Sequence, residues 1–188
     1  MAVQEKLLTA EEFGKLPNDG KKYDLVKGAV VEVCRPKYGH GKLQGKFARF
    51  IDEYLDDHAI GNMTTETGYI LARNPDTVLG PDVAFFSTQR WGNPEIDAYI
   101  PIGPDLVVEI VSTYDKTHET HEKIRAYFEA GTRLLWLVYP STQQVHIYHG
   151  MNSDIRVVGI DGALDGEDVL PGFTLSMRDI FKGLTNEE

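Results

Sequence analysis

The sequence predicts an α/β fold, a mixed central sheet with helices on its faces. The run DLVVEIV at 105–111 is apolar at nearly every position, the pattern of a strand covered on both sides. Leu43, Phe47, Phe50, Ile51, Tyr54 and Leu55 recur at three- and four-residue spacing, which makes one apolar stripe on a helix over 40–58. The central order then reads helix, strand, strand, strand, helix, strand, an arrangement that places helices against a mixed sheet.

Taken in order, Thr9 with Glu12 fits a capping box that opens a short helix, and Pro17-Asn18-Asp19-Gly20 ends it as a turn. Strands over 23–26 and 29–33 are joined through Lys27-Gly28 as a hairpin. After the helix over 40–58, strands are expected over 63–71 and 82–86, separated by Asn74-Pro75-Asp76. Residues 88–104 carry Trp91, Pro94, Tyr99, Pro101 and Pro104 without periodicity, a loop long enough to serve as a contact surface or lid. The buried strand over 105–111 comes next, then a helix over 116–130 closed by Gly131. Strands follow over 133–139, 145–148 and 154–160, and Ser176 with Asp179 caps a final short helix. No repeat or linker divides the 188 residues, so 1–188 reads as a single domain.

A net charge of −10 argues against indiscriminate polyanion binding. Cys34 is the sole cysteine, so no intrachain disulfide exists and a reducing, cytoplasmic setting is expected. The N-terminus lacks a signal-peptide pattern and no apolar run reaches transmembrane length, so no membrane partner is expected. Neither a P-loop nor a dinucleotide-binding G-x-G-x-x-G is present, and no organic cofactor is expected. His118, His121 and Glu122 in HETHEK do not have zinc-motif spacing, and His146 with His149 is a loose pair.

Two strands each carry one carboxylate where a buried strand should carry none: Asp82 in GPDVAFF and Glu109 in DLVVEIV. An ionised carboxylate there is costly unless a cation compensates it. Lys123, fourteen residues after Glu109 on the following helix, is placed to pack back toward the same strand end. Alternation puts Asp82, Ala84 and Phe86 on one face and Val107, Glu109 and Val111 on one face. If the two strands are neighbours, the pair suits Mg²⁺, which prefers oxygen ligands and takes one or two carboxylates plus water and phosphate oxygens. A nearby ammonium can orient the attacking water or offset transition-state charge. The competing reading is a structural ion pair between Glu109 and a basic side chain.

Pro81-Asp82, Glu109 within VVEIVS, and Lys123 before Tyr127 and Ala130-Gly131 together resemble the putative restriction endonuclease family of the PD-(D/E)xK nuclease superfamily. The resemblance runs from YDLVKG at 23–28 through His40 to LLWLVYP at 134–140. It implies a restriction-endonuclease-like αβββαβ core, here with an N-terminal hairpin and C-terminal strands added. It also implies a Mg²⁺-dependent endonuclease, with Mn²⁺ as substitute, that hydrolyses DNA phosphodiester bonds. Asp82 and Glu109 would hold the metal with the backbone carbonyl of Ile110, and Lys123 would complete the catalytic set. The lysine of a plain D/E-x-K motif would fall at Val111, so here it is displaced onto the helix. Asp24 and Tyr127 are candidate supports of this centre, and Pro104-Asp105 is a decoy.

Between Val33 and Ile51 there is no acid, yet Arg35, Lys37, Lys42, Lys46 and Arg49 are present. Lys42, Lys46 and Arg49 share one helical face, which with His40 reads either as a surface that contacts nucleic-acid phosphates beside the active site or as an ordinary solvated helix face with a capping or packing histidine. Cleaving both strands of DNA would favour a homodimer. A catalytically inactive nucleic-acid-binding module, or a protein-interaction module of the same fold, is the alternative.

Overall fold

Six strands form the central sheet of the computed structural model, which describes residues 6–92, 97–112 and 116–184. In chain order the elements are α1 (Ala10–Phe13), β1 (Lys22–Val26), β2 (Ala29–Val33), α2 (Tyr38–Asp57), β3 (Gly61–Thr64), β4 (Tyr69–Ala72), β5 (Thr77–Leu79) and β6 (Val83–Ser87). They continue with β7 (Leu106–Ile110), α3 (Thr117–Glu129), β8 (Leu134–Tyr139), β9 (Gln144–Tyr148), β10 (Arg156–Val158), β11 (Ala163–Asp165), β12 (Thr174–Ser176) and α4 (Met177–Phe181).

The central sheet has the order β10-β9-β8-β7-β6-β3. Every neighbouring pair in it is antiparallel except β7 and β8, which run parallel because α3 carries the chain back between them. A second sheet, β2-β1-β5-β4, stands against one face, and β11 pairs with β12. The mixed sheet with flanking helices is thus the α/β fold that the apolar patterning predicts.

Alternation along the strands divides the core in two. Val83, Phe85, Leu106, Val108, Trp136, Val145 and Ile147 face α2 and the C-terminal segment that includes Leu170, Phe173 and Ile180. Ala84, Phe86, Val107, Leu135 and Leu137 face the other way, with Ile124 and Tyr127 of α3 and Tyr69 and Leu71 of β4. The Leu43–Phe47–Ile51 stripe of α2 is fully buried, as its spacing requires.

Local chemistry sets several boundaries. Thr9 and Glu12 form the reciprocal capping box at α1. Lys27 and Gly28 both have positive φ, 50° and 80°, the two-residue hairpin geometry that matches strand twist. Gly131 follows α3 at φ 93°, a left-handed position that a side chain would strain. Ser176 precedes α4 but makes no side-chain cap hydrogen bond.

The single strand expected over 63–71 is two strands in different sheets. Glu66 takes φ 52° between them, and its N–H donates to the Pro81 carbonyl at 2.9 Å, so the ladder cannot continue. β5, β11 and β12 go unpredicted because three residues are too few to show alternation. Among the described residues no helix is long and apolar enough to cross a membrane.

Candidate active site

The register of β6 and β7 decides the relation of the two singled-out carboxylates. Val83 pairs with Val108 and Ala84 with Val107. One step further along the same antiparallel register, Asp82 lies across from Glu109, and both belong to the face that α3 covers. Asp82 ends the connection that carries the chain from β5 in one sheet to β6 in the other, so the site sits at the junction of the two sheets.

Each acid has a defined holder. Asp82 Oδ2 accepts the N–H of Ile110 at 2.7 Å, a side chain taking the place of the next ladder bond. Its Oδ1 lies 2.8 Å from His40 Nε2. Gln44, one helical turn after His40, donates to the Asp82 backbone carbonyl at 3.1 Å. Glu109 Oε1 accepts the Tyr127 hydroxyl at 2.6 Å. The Lys123 ammonium stands 3.4 Å from Asp24 Oδ2, and Asp24 itself is buried in β1. Lys123 and Tyr127, four residues apart on α3, therefore present an ammonium and a phenol to the same cluster.

Burial pushes the Glu109 carboxyl up to about 7; the Lys123 charge opposes this, and the Asp82 carboxylate reinforces it. For Lys123 burial works against the charge, yet the apposed Glu109 and Asp24 carboxylates outweigh it and raise the ammonium pKa. Tyr127 is driven well above the ordinary phenol range by burial and by the negative charge of Glu109. The cluster therefore gathers three acidic side chains around one firmly protonated lysine.

Asp82, Glu109 and Lys123 converge, and Asp24 and Tyr127 join them as the direct partners of Lys123 and Glu109. His40 meets the Asp82 carboxylate, in contrast to the phosphate contact expected of it. Gln44 was not anticipated; its one sequence signal is the four-residue spacing from His40. Asp105 takes other partners: it is buried and accepts the Ser87 N–H at 2.8 Å and an Arg90 N–H at 3.2 Å.

The basic stripe of α2 does not lie beside the carboxylates. Lys46 Nζ donates to the carbonyls of Asp179, Ile180 and Lys182 at 2.7, 2.9 and 2.8 Å. Lys42 Nζ donates to the Gly183 carbonyl at 2.6 Å, and Arg49 stacks 4.3 Å over Phe50 and lies 3.9 Å from Glu53. The end of α4 leaves carbonyls without helical partners and carries partial negative charge, so it captures the nearest ammonium groups. The segment over 88–104, expected as a contact surface or lid, packs inward at three described positions. Trp91 packs on Phe86 at 5.4 Å, Tyr99 on Phe13 at 5.9 Å, and Ile100 bridges to Tyr69. These parts form a wall of the core; residues 93–96 lie outside the described residues.

Among the described residues no group of three or more His, Cys, Asp or Glu side chains forms a ready metal cage. His118 and His121 of HETHEK are both exposed on α3.

Residues 10–178 match a family, Uma2, described as "Putative restriction endonuclease". Among solved structures, the crystal structure of a putative nuclease from Anabaena variabilis is similar over 95% of this chain and 99% of that one, with a TM-score of 0.81 at 22% identity. At that identity the likeness is one of fold. No curated protein matches the chain. The family match runs from α1 into α4 and takes in every residue of the carboxylate–lysine cluster, and on that extent the chain belongs to the Uma2 family of putative restriction endonucleases.

Proposed function

We propose that this protein is a Mg²⁺-dependent endodeoxyribonuclease of the PD-(D/E)xK kind, with Mn²⁺ as a substitute ion. The pairing of Asp82 with Glu109 across β6 and β7, beside the half-buried Lys123 ammonium, carries the reading. The donor set fits a hard divalent ion: two carboxylates on one sheet face, with the Ile110 backbone already at the site through its bond to Asp82. Among the described residues no third acid or histidine joins them as a ligand, which is compatible with an ion that keeps waters and takes substrate phosphate oxygens. Burial is the main cause of the upward shift of Glu109, and a cation bound there would offset it. A divalent ion, when bound, supplies Lewis acidity at the phosphate and acidifies an attacking water.

The chain's own groups have separable tasks. Asp82, Glu109 and the Ile110 carbonyl would hold the ion. His40 and the Ile110 N–H fix the Asp82 carboxylate, and Tyr127 fixes that of Glu109. Lys123, with its raised pKa, keeps its proton at neutral pH. It is suited to orient the attacking water as a donor and to offset charge growing on the phosphate, not to remove a proton. Cleavage of both DNA strands would call for two copies of the chain.

One observation favours the catalytically inactive alternative. Asp82 has His40, Asp24 has Lys123 and Glu109 has Tyr127, so the acids already have partners within the protein. Cleavage of plasmid and oligonucleotide DNA with Mg²⁺ or Mn²⁺ separates the readings. Hydrolysis by the wild type and none by Glu109→Ala or Asp82→Ala is the expected result; equal hydrolysis by the variants would place the chemistry elsewhere.

A further inference from the structure

The two faces of the central sheet are covered unequally. On the α2 side Val145 and Ile147 of β9 are fully buried beneath the C-terminal segment. On the α3 side Gln144, His146 and Tyr148 of the same strand all keep contact with water. Tyr139 of β8 is half-buried on that face, and Val157 of β10 is 51% exposed. α3 packs toward β4 and the second sheet, so β9 and β10 are only partly covered on this face, with Tyr139 and Tyr148 resting against the edge of the core.

This face lies in line with the candidate active site, with the buried Leu137 between them. Glu109 pairs with Leu137, Leu137 with His146 and His146 with Val157, so they form one row with Asp82 across β6 to β10. Two strand spacings of about 4.8 Å put His146 roughly 10 Å from Glu109. The Tyr139 and His146 rings stand 4.4 Å apart, and Tyr148 is two residues along from His146 on the same face.

Residue chemistry says what such a face receives. This face offers three rings with polar edges and a glutamine, chemistry that can take a nucleobase as well as a protein side chain, and its place beside the candidate nuclease centre favours the base. Phosphate contacts alone are a poor source of affinity here: the chain carries a charge of −10, and Lys42 and Lys46 are engaged at the end of α4. Stacking on rings supplies affinity without cations, since every base has a π-face.

We propose that Tyr139, His146 and Tyr148 form a stacking platform for an unpaired nucleobase next to the scissile phosphate, so that the substrate is nucleic acid with a single-stranded segment. This rests on the nuclease reading above.

The test is fluorescence anisotropy of a labelled single-stranded oligonucleotide and its duplex, with Ca²⁺ in place of Mg²⁺, for the wild type, His146→Ala, Tyr148→Leu and Tyr148→Phe. Mg²⁺-dependent cleavage and sedimentation are measured in parallel. The expected result is tighter binding of the single strand, weakened ~10-fold by Tyr148→Leu and His146→Ala but retained by Tyr148→Phe, because stacking needs the ring and not the hydroxyl. Equal single-strand affinity in all variants, with cleavage intact, overturns the platform and leaves the nuclease reading standing. Variants that dissociate an oligomer without changing single-strand affinity would show a second copy on this face and overturn it as well. Absence of both nucleic-acid binding and cleavage in the wild type defeats the nuclease reading itself.

Discussion

Glu109 is held between opposing demands, and its protonation links the site to stability. Its ordinary value is 4.5 and burial first of all lifts it to about 7, so between those values the native state binds the proton that the unfolded chain releases. The stabilisation from this shift is fully present below 4.5 and is lost as pH rises through about 7. Glu109→Gln, which cannot ionise, should therefore melt close to wild type at low pH and increasingly above it as the pH passes through that window in chelator-treated samples. A melting-temperature gap that does not change with pH would refute the linkage. The raised Lys123 pKa acts in another range, since its stabilisation is present below its ordinary 10.5 and fades only above that. Tyr127→Phe removes the donor to Glu109 while keeping the ring. Hydrogen bonds to charged groups are worth about 1.5–3 kcal/mol, so we expect cleavage to fall ~10–100-fold with the fold intact by circular dichroism. Its pH profile should also move upward, because that bond helps keep Glu109 ionised.

At the scale of elements, α2 does two jobs with two faces. His40 and Gln44 reach the Asp82 loop, while Lys42 and Lys46 close the end of α4. Lys46 is partly desolvated there, and burial, followed by the neighbouring Lys42 and Arg49 charges, lowers its pKa. Lys46→Met keeps the apolar stem but strips three carbonyls of their donor. We expect a loss of about 1–3 kcal/mol in urea unfolding, with nucleic-acid affinity changed less than ~2-fold. A large fall in affinity and salt dependence with stability unchanged would return Lys46 to the substrate surface.

For the whole molecule, the junction of two sheets concentrates negative charge that a cation would relieve. If Asp82 and Glu109 hold a divalent ion in the native state only, millimolar Mg²⁺ or Mn²⁺ should raise the melting temperature, and the rise should grow with the logarithm of ion concentration. Glu109→Ala and Asp82→Ala should each abolish it. A response that survives both substitutions would put the ion at another site.

Much of this organisation is legible in the sequence because it is local. The Thr9–Glu12 capping box, the Lys27-Gly28 turn and the 3.6-residue stripe of α2 depend on neighbours a few residues apart, and all are present. Asp82 and Glu109 stand out because a carboxylate in an apolar strand breaks a local rule at a cost. The basic stripe misleads for the same reason: spacing shows that Lys42, Lys46 and Arg49 share a face but not that α4, more than a hundred residues later, lies against it. Likewise the division of 63–71 between two sheets depends on the Glu66 bond to Pro81, which no window of sequence contains. The sequence by itself determined the helices and the longer strands, their amphipathic faces and the unusual carboxylates, since these follow from propensity and periodicity. Only the tertiary structure decided that Asp82 lies across from Glu109, that Asp24 answers Lys123, and that the ring-bearing face of β9 is only partly covered. Those relations join residues far apart in the chain, and strand register and packing, not local preference, set which of them meet.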